Sequence, residues 1–464
     1  MSFPPCLMKY YRAMLCGLAA ALLTPGMAFA QENVNLDSLR LGARYLNWAP
    51  AKDGAASAST SAAPAPMPEA VSAMQPQGIS LAQFETMAER SNPTLAQAAA
   101  RIEAARGEAV QAGLYPNPRT GYLASEINDE KQAGQQGGFV GQEFVTNGKL
   151  RLSRQVAEQA IRQAQCAWAA QHARVVNDVR LAFYDVLVAQ RTVELTDQLV
   201  RVGQEGVRAA DALLKAKEAS RFDGLQARIE FDSAQITAEK ARNRYAAAWR
   251  NLAIVVGVPD MPPAPLLGEL QDGLARLTWE GELCRVLNES PALAEIRGGV
   301  ARAEAALNRQ IAERVPNVDL QVVAQYDNAT RDSIAGVQAG VALPVFNRNQ
   351  GNIRRAQAEV AAARADAQRA DLELRQRLAV AFEQYQNARF QVERYAAQIL
   401  PNAQTSLDLV TRGYRGGHID YITLLTSQRT FFQVNLAYVE AVRDLRNATV
   451  AIEGNLLTDS LQQR

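Results

Sequence analysis

Two histidines, His172 and His418, and four cysteines are the residues of this 464-residue chain best suited to hold a transition metal or act as nucleophiles. Neither histidine has another His or a Cys at i+3 or i+4, the spacings that set two ligands on one helical face. Cys166 and His172 lie six positions apart, on different faces of any helix carrying both. There is no Gly-rich phosphate loop, no G-x-S-x-G turn and no workable Ser, His and Asp spacing. The sequence thus offers no catalytic, cofactor-binding or metal-ligating set, and the chain reads as a protein that is not an enzyme. Glu158, Asp178, Asp185 and Glu194 read as solvated carboxylates on one helical stretch, and Cys166 and Cys284 as two unpaired thiols.

Charge narrows the partners. The chain has 49 Lys and Arg against 48 Asp and Glu, with 48% hydrophobic and 6% aromatic residues, so no basic surface argues for nucleic acid. Lys9 and Arg12, the apolar run from Met14 to Ala28 and the small-residue ending "AFA" have the order of a secretory signal peptide over residues 1–30. Met8 opens a more ordinary signal than Met1 and is the expected start of translation. Cleavage after Ala30 removes two bases and no acid, leaving 47 against 48. Leu15 before Cys16 does not suit lipid attachment. No later apolar run reaches about 18 residues, so any membrane passage must use β-strands.

The elements follow from the patterning. Residues 31–78 form an Ala, Ser and Pro-rich segment with little to bury, so folded structure is expected from Ile79. From there the sequence occurs twice at an offset of roughly 200 residues, the mark of an internal repeat. "NPTLAQAAARIEAARGEA" answers "SPALAEIRGGVARAEAAL", "YPNPRTGYLASE" answers "VPNVDLQVVAQY", and "RFDGLQARIEF" answers "HIDYITLLTSQ". The expected organisation is a first repeat over 79–257, a Pro-rich connector over 258–278 and a second repeat over 279–457. Each repeat carries a long helix, a pair of short strands and two more long helices.

Within residues 175–202, Val179, Val186, Val193 and Val200 recur at heptad spacing. So do Leu181, Val188, Leu195 and Val202, two positions or about 200° away. A helix with seams on opposite sides packs between two neighbours, as in a wall of helices. Residues 318–327 alternate, with Val318, Leu320, Val322, Ala324 and Tyr326 on one side, and residues 333–345 alternate with Val337, Ala339, Val341 and Leu343 on one side. Strands of about ten residues with this alternation suit a transmembrane barrel. The first pair, "PRTGYLASEIND" and "GFVGQEFV", alternates less cleanly. Four strands cannot close a barrel alone, so membrane passage requires an oligomer.

Two motifs are specific to a family. "YRGGHIDYITLLTSQR" (414–429) and "AKEASRFDGLQARIEF" (216–231), with "YPNP", "QEFVTNGKLR" and "LPVFNRNQG" beside the strands, resemble the TolC family of outer-membrane efflux proteins. The first-repeat motif is nearest to members serving cobalt-zinc-cadmium exporters. The resemblance runs from about Ile79 to Gly454. It implies a mainly α fold with a small β part. In a homotrimer each chain would give four strands to a twelve-stranded barrel in outer-membrane lipid, and the long helices would form an α-helical barrel across the periplasm. The partners implied are a periplasmic adaptor and an inner-membrane pump, with no cofactor. The function implied is a passive exit duct, for heavy-metal cations on the first-repeat motif. Drug or organic-solute efflux and type I secretion are alternatives within the class, and a non-pore periplasmic coiled-coil scaffold is an alternative outside it.

By matching positions the resemblance assigns the periplasmic tip and adaptor contact to Ala219, Ser220 and Arg221 in the first repeat and Tyr414, Gly416 and Gly417 in the second. The paired glycines would let the chain reverse between long helices. Where the family often carries a ring of Asp at the pore entrance, this chain has Thr423 and Thr426. Asp408 and Asp420 are the nearest acids, and Asp420 matches Asp223 of the first repeat, where an N-capping role is expected. Lys217 stands where the first-repeat pattern usually has Gly.

Overall fold

The computed structural model describes residues 78–128, 133–216, 220–270, 274, 276–416 and 418–462. The expected signal peptide over 1–30 and the expected Ala, Ser and Pro-rich segment over 31–78, save its last residue, lie outside them. The described chain begins with β1 (Ile79–Ser80), α1 (Leu81–Ser91) and α2 (Pro93–Gly113). A capping box starts α1, the Ser80 backbone N–H donating to Gln83 Oε1 at 2.8 Å. Asn92 caps α2 by accepting from the Thr94 N–H at 3.0 Å, and Pro93 sits where no intrahelical donor is needed. The second repeat begins the same way: α5 (Trp279–Glu289) leads to α6 (Pro291–Ala312), with Ser290 as cap before Pro291.

After α2 come β2 (Arg119–Ser125), β3 (Gln135–Phe144), α3 (Lys149–Lys215) and α4 (Arg221–Val256). The 67 residues of α3 span about 100 Å. A short β4 (Leu266–Leu267) pairs in parallel with β1. After α6 come β5 (Val318–Asp327), β6 (Ser333–Val341) and α7 (Gln350–Arg394), then a π-helical turn at Tyr395–Ile399, α8 (Leu400–Arg415) and α9 (Tyr421–Glu453). The π turn precedes Pro401. Proline lacks an N–H and crowds the carbonyl four residues back, so a widened turn there lets one helix run on through it.

Two cores of matching make-up stand one in each repeat. In the first, Phe84 of α1 meets Phe183 of α3 at a centroid distance of 5.8 Å and Trp249 of α4 at 6.3 Å, with Val179, Val186 and Leu252 completing it. In the second, Trp279 of α5 meets Phe382 of α7 at 5.6 Å, with Leu378, Leu445 and Ile452. Val188 and Leu195, from the other seam of α3, pack on Val439 of α9. The two seams thus face different neighbours, while Val193, Val200, Leu181 and Val202 along the same rows are half-buried. Further toward Arg221, α4 buries Ala227, Ala234, Ala238 and Ala241. Small side chains let helices approach closely, and a Cβ on Gly203 of α3 would stand 3.3 Å from Phe231 Cα of α4.

Strands β2, β3, β5 and β6 form one antiparallel sheet in that order, its edges β2 and β6 unpaired within the chain. Val140, Val322 and Val337 lie directly opposite one another across β3, β5 and β6, as do Phe144, Val318 and Val341. These apolar residues share one face, while Gln321, Gln338 and Asp319 share the other.

Some expectations need correction. Asp178 is not simply solvated, because its carboxylate accepts the backbone N–H groups of Asp459 at 3.0 Å and Ser460 at 2.6 Å. Asp185 is half-buried, and burial pushes its carboxyl up against the pull of Arg443 and Arg244. Cys166 is a free thiol, as read from the sequence.

Candidate functional site

The turns joining α3 to α4 and α8 to α9 carry the tip residues assigned from the sequence. Ala219 and Gly417 lie outside the described residues. Ser220 is the N-cap of α4 and forms a reciprocal box with Asp223: the Asp223 N–H donates to Ser220 Oγ at 3.3 Å and the Ser220 N–H to Asp223 Oδ2 at 3.0 Å. Arg221 follows, exposed at the first helical position.

The second turn is built differently. Gly416 ends α8 with φ −81° and ψ −1°, an ordinary right-handed geometry, so its lack of a Cβ is not what lets the chain reverse. The tight contact is at Gly413, where a Cβ would come within 2.5 Å of Ile419 Cδ1. The His418 N–H donates to the Gly413 carbonyl at 2.9 Å and closes the turn. Asp420 takes the N-cap position of α9, but its carboxylate bonds the Thr423 hydroxyl, not a backbone N–H. Asp223 by contrast stands at the third helical position. The match of Asp420 with Asp223 is therefore three residues out of step: Asp420 corresponds to Ser220, and Thr423 to Asp223.

Thr423 and Thr426 line a groove of about 330 Å³ between α8 and α9, with Ser406, Val410 and Ile422. Its hydroxyls are largely spent on the chain itself, Thr426 donating to the Ile422 carbonyl at 2.8 Å and Thr430 to that of Thr426 at 2.9 Å. The groove is uncharged and suits packing against a helix more than holding a cation. Asp408 is exposed on α8, accepting from Gln404 Nε2 at 3.0 Å. Among the described residues no three His, Cys, Asp or Glu side chains gather as a metal site would require.

The two hairpins meet through residues the sequence did not single out. Arg429 of α9 grips the largely buried Glu230 of α4 with two donors, Nε to Oε2 at 2.9 Å and Nη2 to Oε1. Tyr421 lies beside Tyr414, the ring centroids 6.1 Å apart and the planes tilted by 55°, and a Cβ on Gly206 of α3 would stand 3.1 Å from the Tyr421 hydroxyl. Burial, then the neighbouring Tyr414, Glu230 and Asp223, pushes the Tyr421 phenol up, so it stays neutral. Only long-range pairing marks these residues, and no local pattern would have found them.

At the other end the sheet bares its apolar face, Val337 being 74% and Tyr122 69% exposed. Its opposite face carries a polar chain: Gln325 Nε2 donates to Ser125 Oγ at 3.2 Å, and Gln135 Nε2 to Glu126 Oε2 at 3.0 Å. No helix among the described residues is long and apolar enough to cross a membrane.

These features define a class, in which paired long helical hairpins continue into an open antiparallel sheet with one apolar face. The chain belongs to the outer membrane efflux protein family, whose model matches residues 86–258 and 283–456. It is similar to the cobalt-zinc-cadmium resistance protein CzcC of Cupriavidus metallidurans, 24% identical over 368 residues, 79% of this chain and 87% of that protein. It is also similar to the nickel-cobalt-cadmium resistance protein NccC of Alcaligenes xylosoxydans xylosoxydans, 23% identical over 277 residues, 59% of this chain and 62% of that protein. Its fold matches the crystal structure of CusC with a TM-score of 0.69 at 17% identity, covering 87% of this chain and 99% of that one. It likewise matches the open state of the MtrE outer membrane channel of Neisseria gonorrhoeae, with a TM-score of 0.68 at 17% identity over 82% and 89% of the two chains.

Proposed function

We propose that the chain forms a homotrimeric exit duct in the outer membrane, passing heavy-metal cations delivered by an inner-membrane pump through a periplasmic adaptor. The observation that carries this reading is the open four-stranded sheet with one exposed apolar face. Four strands are too few to close. Because their number is even and every pairing antiparallel, β6 of one chain and β2 of the next also run antiparallel, so three copies close a twelve-stranded barrel without a parallel seam. The apolar face then meets lipid, and the Gln-rich face lines water.

Below the sheet, the repeats over 79–257 and 279–457 supply hairpins α3–α4 and α7–α9 to a helical tunnel reaching across the periplasm. The turns at Ser220 and Arg221 and at Tyr414 and Gly416, with Ala219 and Gly417, are the tip, and the hydroxyl-lined groove between α8 and α9 receives an apolar helical hairpin of the adaptor. Thr423 and Thr426 carry no charge at that level, and the nearest acids are Asp420, bonded to the Thr423 hydroxyl, and Asp408, both exposed. The metal cargo is supported by the likeness to cobalt-zinc-cadmium and nickel-cobalt-cadmium resistance proteins.

Two measurements test this. Purified trimers in planar bilayers should give stable single-channel conductance; no conductance would leave only a scaffold. Deletion in the native host should raise sensitivity to cobalt, zinc or cadmium. Sensitivity confined to organic solutes would overturn the cargo while leaving the duct.

A further inference from the structure

Away from the tip and the sheet, a cavity of about 600 Å³ opens between α2, α3, α6, α7 and the C-terminal segment that follows α9. Arg101, Arg174 and Arg377 line it, against the carboxylates of Glu295 and Glu373. Glu373 also faces Arg369 at 3.4 Å, so the lining carries an excess of positive charge. Thr94 and Ala292, in the first turns of α2 and α6, stand on the wall, and the positive ends of both helix dipoles therefore converge on the cavity. Ser460 also lines it, 3% exposed, and its Oγ is buried without a hydrogen-bond partner. A buried hydroxyl without a partner is costly in a folded protein, which singles this one out for a ligand to satisfy.

We propose that this cavity binds a small water-soluble anion carrying a phosphate or carboxylate group. Arg101 and Arg377 approach from α2 and α7 and the Ser460 hydroxyl donates from the C-terminal segment. Ala98, Leu293 and Leu374 supply an apolar part of the same lining. Burial, against the pull of Arg174 and Arg101, pushes the Glu295 carboxyl up. The lining residues lie roughly 20–40 Å along α2, α3 and α7 from the sheet at about 1.5 Å per residue. That distance excludes a lipid headgroup as the source, an exclusion resting on the proposed placement of the strands in the membrane.

The test uses the full-length protein in detergent and inorganic phosphate as the probe, by calorimetric titration and by thermal midpoint, with chloride at matched ionic strength as control. A saturable upward shift of the midpoint in phosphate alone is expected. Arg101→Gln should weaken the apparent affinity about tenfold or more. Ser460→Ala should also weaken it while leaving the unliganded midpoint unchanged or higher, since the orphan hydroxyl is gone. Identical behaviour in phosphate and chloride, or wild-type affinity in both variants, would overturn the proposal. Neither result touches the duct reading, which conductance tests.

Discussion

At the residue scale, the turn between α8 and α9 shows where a glycine is needed and where it is merely present. Gly413 packs under Ile419, and Gly416 has a backbone that alanine adopts freely. Gly413→Ala is expected to destabilise by about 1 kcal/mol after the helix-propensity gain is subtracted from the overpacking cost, whereas Gly416→Ala should be near neutral; thermal unfolding of the two variants separates them. A similar close approach ties down the C-terminus. Asn177 Nδ2 donates to the Gly454 carbonyl at 2.9 Å and to that of Leu457 at 2.6 Å, deep against a glycine with no room for a side chain. Beside it, Asp178 holds the Asp459 and Ser460 amides. Asp178→Ala should free this segment at about 1–3 kcal/mol of local opening energy, seen as faster amide exchange at residues 457–462 with α9 still protected. Unchanged exchange there would mean the carboxylate is dispensable.

Elements were more legible in the sequence than the contacts between them. The strand reading over 318–327 coincides with β5, because alternation is a local signal. β3 begins at Gln135, three residues before the expected "GFVGQEFV", because Gln135, Gln136 and Gly137 pair with Asp327, Tyr326 and Gln325 of a strand far along the chain. The two seams of α3 were visible as heptads, but which neighbour each seam meets was not. The turns between the long helices suffered most: a motif aligned by residue type slipped three positions, since the helix start is set by capping geometry, not by the Asp common to both repeats. Arg429 and Glu230 belong to the same blind spot, an ion pair across repeats that no periodicity announces. Arg429→Ala and Glu230→Ala in a double-mutant cycle should give a coupling of about 1 kcal/mol; additive effects would show that the hairpins are held by packing alone.

A second link belongs to the junction where helices become strands. Lys149, 2% exposed at the first position of α3, donates to Asn317 Oδ1 at 2.7 Å and faces Glu313 at 3.5 Å. Burial alone would raise the Glu313 carboxyl, but hydrogen bonds and charge from Arg309 and Lys149 overcome it and hold Glu313 below its usual value. A carboxyl depressed on folding stabilises above its unfolded pKa, and that stability drains away as pH falls through the folded value. Acid unfolding of Glu313→Gln should therefore match wild type at the acid end, below the depressed pKa, and fall short of it at neutral pH. Parallel curves across the whole range would show that Glu313 contributes nothing through its charge.

At the scale of the whole molecule, everything depends on which medium each face of the sheet meets. Val337 stands opposite Val322 on the apolar face, and Gln338 opposite Gln321 on the other, one residue along the same edge strand. In a soluble sheet the exposed Val337 would be the easier place for a charge, since water solvates it at little cost. In a barrel the ranking inverts, because an arginine on the lipid side costs about 2–4 kcal/mol near the bilayer midplane while a water-filled lumen accepts one. Val337→Arg should thus abolish or sharply reduce heat-labile trimers in outer-membrane fractions, and Gln338→Arg should leave their yield unchanged while altering ion selectivity in planar bilayers. The two substitutions add the same charge to neighbouring residues, so a general loss of solubility or expression would strike both alike. If both variants assemble equally, the apolar face does not meet lipid, and the twelve-stranded closure proposed for three copies of this chain falls with it.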